Sequence, residues 1–143
     1  MKHLAALLIF ISLPACADVR VIDGDTIVMD GTRYRLAGID APEMSQDCGM
    51  GPKAAEWLAE YLKGKTITCN STGKSYNRVV AACFSDGEDL QEAIVRNGWA
   101  FDSPRYSRGK YAAAEAEAKS KGRGIHAGNC EKPWVWRREQ RRR

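Results

Sequence analysis

At 143 residues the chain has room for one domain and not for two independent cores. With 44% hydrophobic and 28% charged residues its composition is globular, which confines disorder to the ends. The formal net charge of +4 becomes informative only when it is divided along the chain.

Residues 1–17 read as a signal peptide. Lys2 is a basic start, Leu4 to Leu13 an apolar run, and Ala15-Cys16-Ala17 a small-x-small cleavage site, so cleavage after Ala17 and a secreted or periplasmic protein are expected. The run is too short to cross a bilayer as a helix, so no stable membrane span is expected. Leu13-Pro14-Ala15-Cys16 loosely resembles a lipobox, which would make Cys16 a lipid attachment point. Pro14 and the short spacer before a strand near Arg20 count against that alternative. Setting Lys2 aside leaves 21 basic and 18 acidic residues, and Arg137 to Arg143 alone carry five Arg and one Glu. The body before that stretch is therefore close to neutral. Residues 131–143 form a Trp- and Arg-rich basic tail, read either as a loose electrostatic hook for polyanions or as solvated charge with no specific role.

Between leader and tail, residues 18–130 form the domain. Residues 19–39 predict three short strands rich in Val, Ile, Thr and Tyr, with turns at Asp23-Gly24 and Asp30-Gly31. A helix is expected from Pro52 to Leu62, with Trp57, Leu58, Tyr61 and Leu62 on one face and Gly64 ending it. Strands follow at Lys65–Cys69 and Asn77–Phe84. A second helix is predicted at Asp89–Asn97 and a third at Ser107–Lys121, stopped by Gly98 and Gly122. Five short strands with about three helices predict an α+β, mainly β fold: a small OB-type barrel packed against helices.

Four cysteines lie beyond the leader, and an even count in an exported domain suggests two disulfides. Without a Cys-x-x-Cys pair a zinc ribbon is disfavoured. Cys69 and Cys83 enclose Ser71-Thr72-Gly73, which reads as two strands meeting at a turn. That favours Cys69–Cys83 and leaves Cys48–Cys130.

Only His126 remains beyond the leader, which argues against two-histidine ribonuclease chemistry, histidine-ligated zinc and Ser-His-Asp triads. His126 itself reads as a structural residue. Catalysis must then run on carboxylates, arginines and a hard metal ion. The richest segment is Asp23 to Glu43: Asp25 stands beside a glycine turn, Arg35 within a strand, and Asp40-Ala41-Pro42-Glu43 at that strand's end. Two such carboxylates can converge on one oxygen-liganded cation. Arg35 lies five residues before Asp40, so an ideal strand points the two to opposite sides, and only a strong bend brings them together.

Val21-Ile22-Asp23-Gly24-Asp25-Thr26 and Arg35-Leu36-Ala37-Gly38-Ile39-Asp40-Ala41-Pro42-Glu43 resemble the two signature blocks of the staphylococcal-nuclease family. Tyr76-Asn77-Arg78 and the block from Leu90 to Ala100 extend the likeness over nearly all of residues 19–125. The ending Pro133-Trp134-Val135-Trp136-Arg137-Arg138 also looks like that of exported bacterial members. The resemblance implies that Asp25, Asp40 and the backbone carbonyl of Ala41 bind Ca²⁺. It implies Glu43 as general base or as the group orienting water, and Arg35 and Arg78 as the phosphate grip. Tyr76 is placed against a base or phosphate, with a buried structural tyrosine as its alternative. The implied substrate is DNA and/or RNA, cut at P–O5′ to leave 3′-phosphates, by a protein expected to be a monomer. Lys74 and Asn77 depart from the family's usual Asp and Gly, which puts the shape of the loop before Arg78 in question. Two other readings compete: a non-catalytic OB-type module that binds nucleic acid or protein, and a calcium-stabilised envelope domain.

Overall fold

The computed structural model describes residues 18–143, so the leader, its cleavage site and Cys16 lie outside the described residues. Strands β1 (Val19–Asp23), β2 (Thr26–Met29) and β3 (Thr32–Leu36) form an antiparallel meander. Asp30 and Gly31 both have positive φ, 49° and 76°, the backbone that a two-residue hairpin loop needs to match strand twist. A short β4 (Ile39–Asp40) follows, and then α1 (Met50–Leu62), which buries Ala54, Leu58 and Leu62. Strands β5 (Ile67–Ser75) and β6 (Arg78–Ser85) pair antiparallel, and β6 runs parallel beside β3. The sheet order is β1-β2-β3-β6-β5, with β7 (Glu88–Asp89) added to β6.

The second half is mostly helical: α2 (Leu90–Arg96), α3 (Pro104–Ser107), α4 (Ala112–Ser120), a 3₁₀ turn (Gly124–Ala127) and α5 (Pro133–Gln140). Between α2 and α3, β8 (Phe101–Asp102) pairs antiparallel with β4. This is an α+β fold of OB type. Its core closes the sheet against the helices, with Ile27, Leu36, Leu58, Leu90, Ile94 and Val95 fully buried. Burial of such side chains contributes about 1.5–3 kcal/mol each. Asp89 caps α2 by accepting from the Glu92 amide at 3.0 Å, and it also accepts from the Tyr111 hydroxyl at 3.1 Å.

Three expectations are corrected. The hairpin turn between β5 and β6 falls at Tyr76-Asn77, not at Ser71-Thr72-Gly73, because Ser75 pairs with Arg78 and the register shifts between Ser71 and Gly73. Small polar residues there make a bulge, with the Thr72 hydroxyl donating to the Val80 carbonyl at 3.2 Å. The helix expected over Ser107–Lys121 begins only at Ala112, since Arg108 and Gly109 take φ of 56° and 82°. That break lets Tyr111 turn inward to Asp89, where it is 3% exposed. The basic tail is no loose hook through its first part: residues 133–140 are helix, rooted by a buried Pro133.

Both disulfides match the sequence pairing. Cys69 and Cys83 are direct cross-strand partners with Cα atoms 4.1 Å apart, and Cys48–Cys130 has a Cα separation of 5.2 Å. The second bridge closes 82 residues and ties the root of α5 to the segment before α1. Replacing Cys48 and Cys130 together by Ser is expected to cost about 2–5 kcal/mol of stability, read as a fall in the urea midpoint.

Candidate active site

The β1–β2 turn delivers Asp25 into the interior. Its backbone carbonyl accepts from the Leu36 amide at 2.9 Å, its own amide donates to Asp23 Oδ1 at 3.1 Å, and its Oδ2 accepts from the Ala41 amide at 2.7 Å. Asp40 reaches the same place from β4, pinned by the ladder that pairs it with Phe101. Both carboxylates are 5% exposed. Arg35 joins them, with Nη2 3.2 Å from Asp25 Oδ2 and 3.3 Å from Asp40 Oδ1. The bend required of the strand is there. β3 ends at Leu36 and the chain turns through Ala37-Gly38, where Gly38 has φ of 75° and an added Cβ would lie 3.1 Å from Ser107 Cβ. Arg35 Nη1 then donates to the carbonyls of Leu36 and Ile39, each at 2.9 Å, which locks the guanidinium across the turn.

Glu43 sits at the rim, with its side chain 35% exposed. Its loop is held by Gln46, whose Oε1 accepts from the Glu43 amide at 3.2 Å while its Nε2 donates to the Glu131 carbonyl at 2.6 Å. Gly51 in α1 packs so closely that an added Cβ would stand 2.2 Å from the Glu43 carbonyl oxygen, so only glycine fits. The last partner is Arg137 from α5. Its Nη1 donates to Glu43 Oε1 at 2.6 Å and to Asp40 Oδ1 at 3.1 Å, and its Nη2 to Asp40 Oδ2 at 2.7 Å.

The sequence reading missed Arg137 and Gln46 in the site. One signal pointed to Arg137: a Cys48–Cys130 bridge puts the start of the tail beside Glu43, and Pro133 then opens a helix. Arg78 is not brought into contact with the carboxylates; its Nη2 lies 3.5 Å from Ser75 Oγ. Because Val80 pairs with Arg35 in the parallel β3–β6 ladder, Arg78 stands on the sheet face of Arg35, about 7 Å along. Tyr76 is 98% exposed at the hairpin tip with φ of 55°, which removes the buried structural alternative.

Burial pushes the Asp25 carboxyl up to about 6; Arg35 opposes the shift and Asp23 adds to it. Asp40 is raised too, mainly by burial, against the hydrogen bond from Arg137. These are hard oxygen donors, a set that fits Ca²⁺ or Mg²⁺ and not zinc. Among the described residues no three His, Cys, Asp or Glu side chains converge on one metal position, so backbone carbonyls or water must complete any shell. His126 is away from this chemistry, edge-on to Phe101 with ring centroids 5.5 Å apart.

Residues 33–127, more than half of the chain, match the family model described as staphylococcal nuclease homologue. The chain belongs to the staphylococcal nuclease family. It is 33% identical to an uncharacterized endonuclease of Escherichia coli, over 95% of this chain and 97% of that protein. It is 37% identical to the succinoglycan biosynthesis protein ExoI of Rhizobium meliloti, over 78% of this chain but 64% of that protein. A probable staphylococcal-like nuclease of Oryza sativa subsp. japonica is 35% identical over 82% of this chain, which spans only 31% of it. The matched family segment holds Arg35, Asp40, Ala41, Glu43, Tyr76 and Arg78; Asp25 precedes it.

The raised Asp25 carboxyl has a measurable consequence. A folded-state value above the unfolded value favours the neutral acid, so this group's stabilising contribution is present below about pH 4 and is lost as pH rises through about 6. Asp25→Asn, which keeps the hydrogen bond from Ala41 without the charge, is expected to melt higher than the parent in EGTA. The difference in Tm should be near zero at pH 4, grow to pH 6–7 and level off above.

Proposed function

We propose that this chain is an exported, calcium-dependent nuclease that hydrolyses phosphodiester bonds of DNA and/or RNA. The observation carrying this reading is the convergence of Asp25, Arg35 and Asp40 in one buried cluster, with Glu43 at its open rim. Two disulfides and the leader motif support export into an oxidising compartment. Among the described residues no helix is long and apolar enough to cross a membrane.

The roles follow from charge and exposure. Asp25 and Asp40, with the carbonyl of Ala41, hold the cation. Calcium bound there would supply charge neutralisation at a phosphate oxygen and help lower the pKa of the attacking water. Glu43, the one carboxylate of the set with substantial exposure, takes the proton from the attacking water. Arg35, fixed by two backbone carbonyls and two carboxylates, aims a planar donor fork at the phosphate without reorganising. Arg78 approaches the same phosphate from the sheet face, and the exposed Tyr76 offers a ring to a base. The P–O5′ bond breaks, the 5′-oxygen leaves and is protonated from solvent to a 5′-hydroxyl, and the other product carries a 3′-phosphate.

Digestion of plasmid DNA and of an RNA oligonucleotide by the purified protein checks this. Cutting is expected with Ca²⁺ and not in excess EGTA, with no rescue by zinc. Glu43→Gln should lower turnover by about 10²–10⁴-fold while leaving calcium-dependent nucleotide binding largely in place. Arg78→Lys should slow turnover more than it weakens binding. Normal digestion by both variants removes the assigned roles. Binding without any cutting by the parent protein leaves the non-catalytic module.

A further inference from the structure

Arg137 occupies ground that the nuclease reading gives to a cation. Its guanidinium engages both oxygens of Asp40 and one oxygen of Glu43, all within 3.1 Å. Arg35 already takes Asp40 Oδ1, so the carboxylate has little lone-pair capacity left for a metal ion. Charge counting agrees. Three carboxylates (Asp25, Asp40, Glu43) face two guanidiniums (Arg35, Arg137), and one divalent ion in place of Arg137 would balance the set. A guanidinium stays charged at any accessible pH, so Arg137 cannot leave by losing its charge. It can leave only by moving.

The helix that carries it has a fixed root and a freer end. Cys130 is bridged to Cys48, Glu131 accepts from Gln46, Pro133 is buried, and Trp134 packs edge-on against Phe101 with centroids 6.2 Å apart. Beyond Arg137, residues 138, 139 and 141–143 are exposed. Within the seated part, the buried Trp136 Nε1 has no acceptor among the described residues, which counts against this position of the helix.

We propose that Arg137 is a further residue of this site, a tethered cation surrogate that holds Asp40 and Glu43 in the metal-free protein and is displaced when calcium binds. This rests on the reading of Asp25 and Asp40 as calcium ligands. The two events are then thermodynamically linked: seating of α5 weakens calcium binding, and calcium weakens the seating of α5 by the same factor. The bridge at the root keeps the displaced helix near the site, so it re-enters when calcium leaves. The same carboxylates are thus held paired in either state.

Isothermal calorimetry with Ca²⁺ alone, without nucleic acid, tests the linkage on the disulfide-bonded protein. Arg137→Gln should tighten calcium binding by about tenfold. Arg138→Gln removes the same charge from an exposed neighbour and should change it far less, so bulk electrostatics are separated from the specific contact. Hydrogen–deuterium exchange reads the other side: amides of residues 133–140 should lose protection in the parent protein when calcium is added. Equal affinities for the parent and Arg137→Gln overturn the surrogate role and leave the nuclease reading standing. Greater protection of residues 133–140 with calcium does the same. If neither protein takes up calcium while the parent still cuts nucleic acid in EGTA, the surrogate and the calcium assignment both fall.

Discussion

Two carboxylates buried side by side are the constraint around which the rest is organised. Asp25 and Asp40 are each 5% exposed, and burial raises both against their usual range. An apolar pair in the same place would cost nothing comparable, so the arrangement opposes folding unless other groups offset it. The chain assembles those groups from distant segments. The Arg35 guanidinium comes from β3, the Ala41 amide from the residue after β4, and Arg137 from a helix nearly 100 residues along the chain. The shape of the β3–β4 turn, the close approach of Gly51 to Glu43 and the anchoring of the tail all serve the same electrostatic problem. Stability is given up locally to hold a site that suits a cation and a phosphate.

Much of this was legible in the sequence because its cause was local. The Asp30-Gly31 pair set the second turn while the first fell one residue on, at Gly24-Asp25; period-two Val, Ile and Tyr set the strands, and Asp89 capped the second helix through its own side chain. The pairing of Cys69 with Cys83 needed only two adjacent strands, although the turn between them was misplaced. Ser71-Thr72-Gly73 carries every compositional mark of a turn, yet the ladder continues through it as a bulge, and Tyr76 accepts the left-handed backbone instead. Composition reports which residues tolerate a turn. It does not report which of two tolerant sites the strand register selects.

The site's geometry was less legible because its causes are tertiary. Strand alternation alone sets Arg35 and Asp40 on opposite sides, and only the turn through Gly38, packed against Ser107 and Tyr111, brings them together. In the same way, propensity could not place the start of α4 after Tyr111, where the left-handed Arg108-Gly109 lets Tyr111 reach Asp89. Arg137 was hidden by its neighbours. Among five arginines in seven residues, one that makes a specific bidentate contact looks identical to four that do not. Charge composition identifies an electrostatic tail. The fold identifies which member of it has been desolvated.

The two arginines proposed to grip the phosphate, Arg35 and Arg78, differ in how firmly they are held. Arg35 is held by four acceptors and is 19% exposed, so its position is set before anything binds. Arg78 has one long hydrogen bond to Ser75, beside a hairpin tip whose Tyr76 is almost wholly exposed. A preorganised donor loses little entropy when it meets a transition state, whereas a loosely held one must be ordered by the substrate itself. On the proposed reading, Arg35 belongs to the rigid floor of the site and Arg78 to a side that substrate must order. The departures at Lys74 and Asn77 fall in the β5–β6 hairpin, away from the carboxylate cluster. If the proposed function holds, variation in the hairpin would bear on how nucleic acid is held, and the buried cluster on whether it is cut.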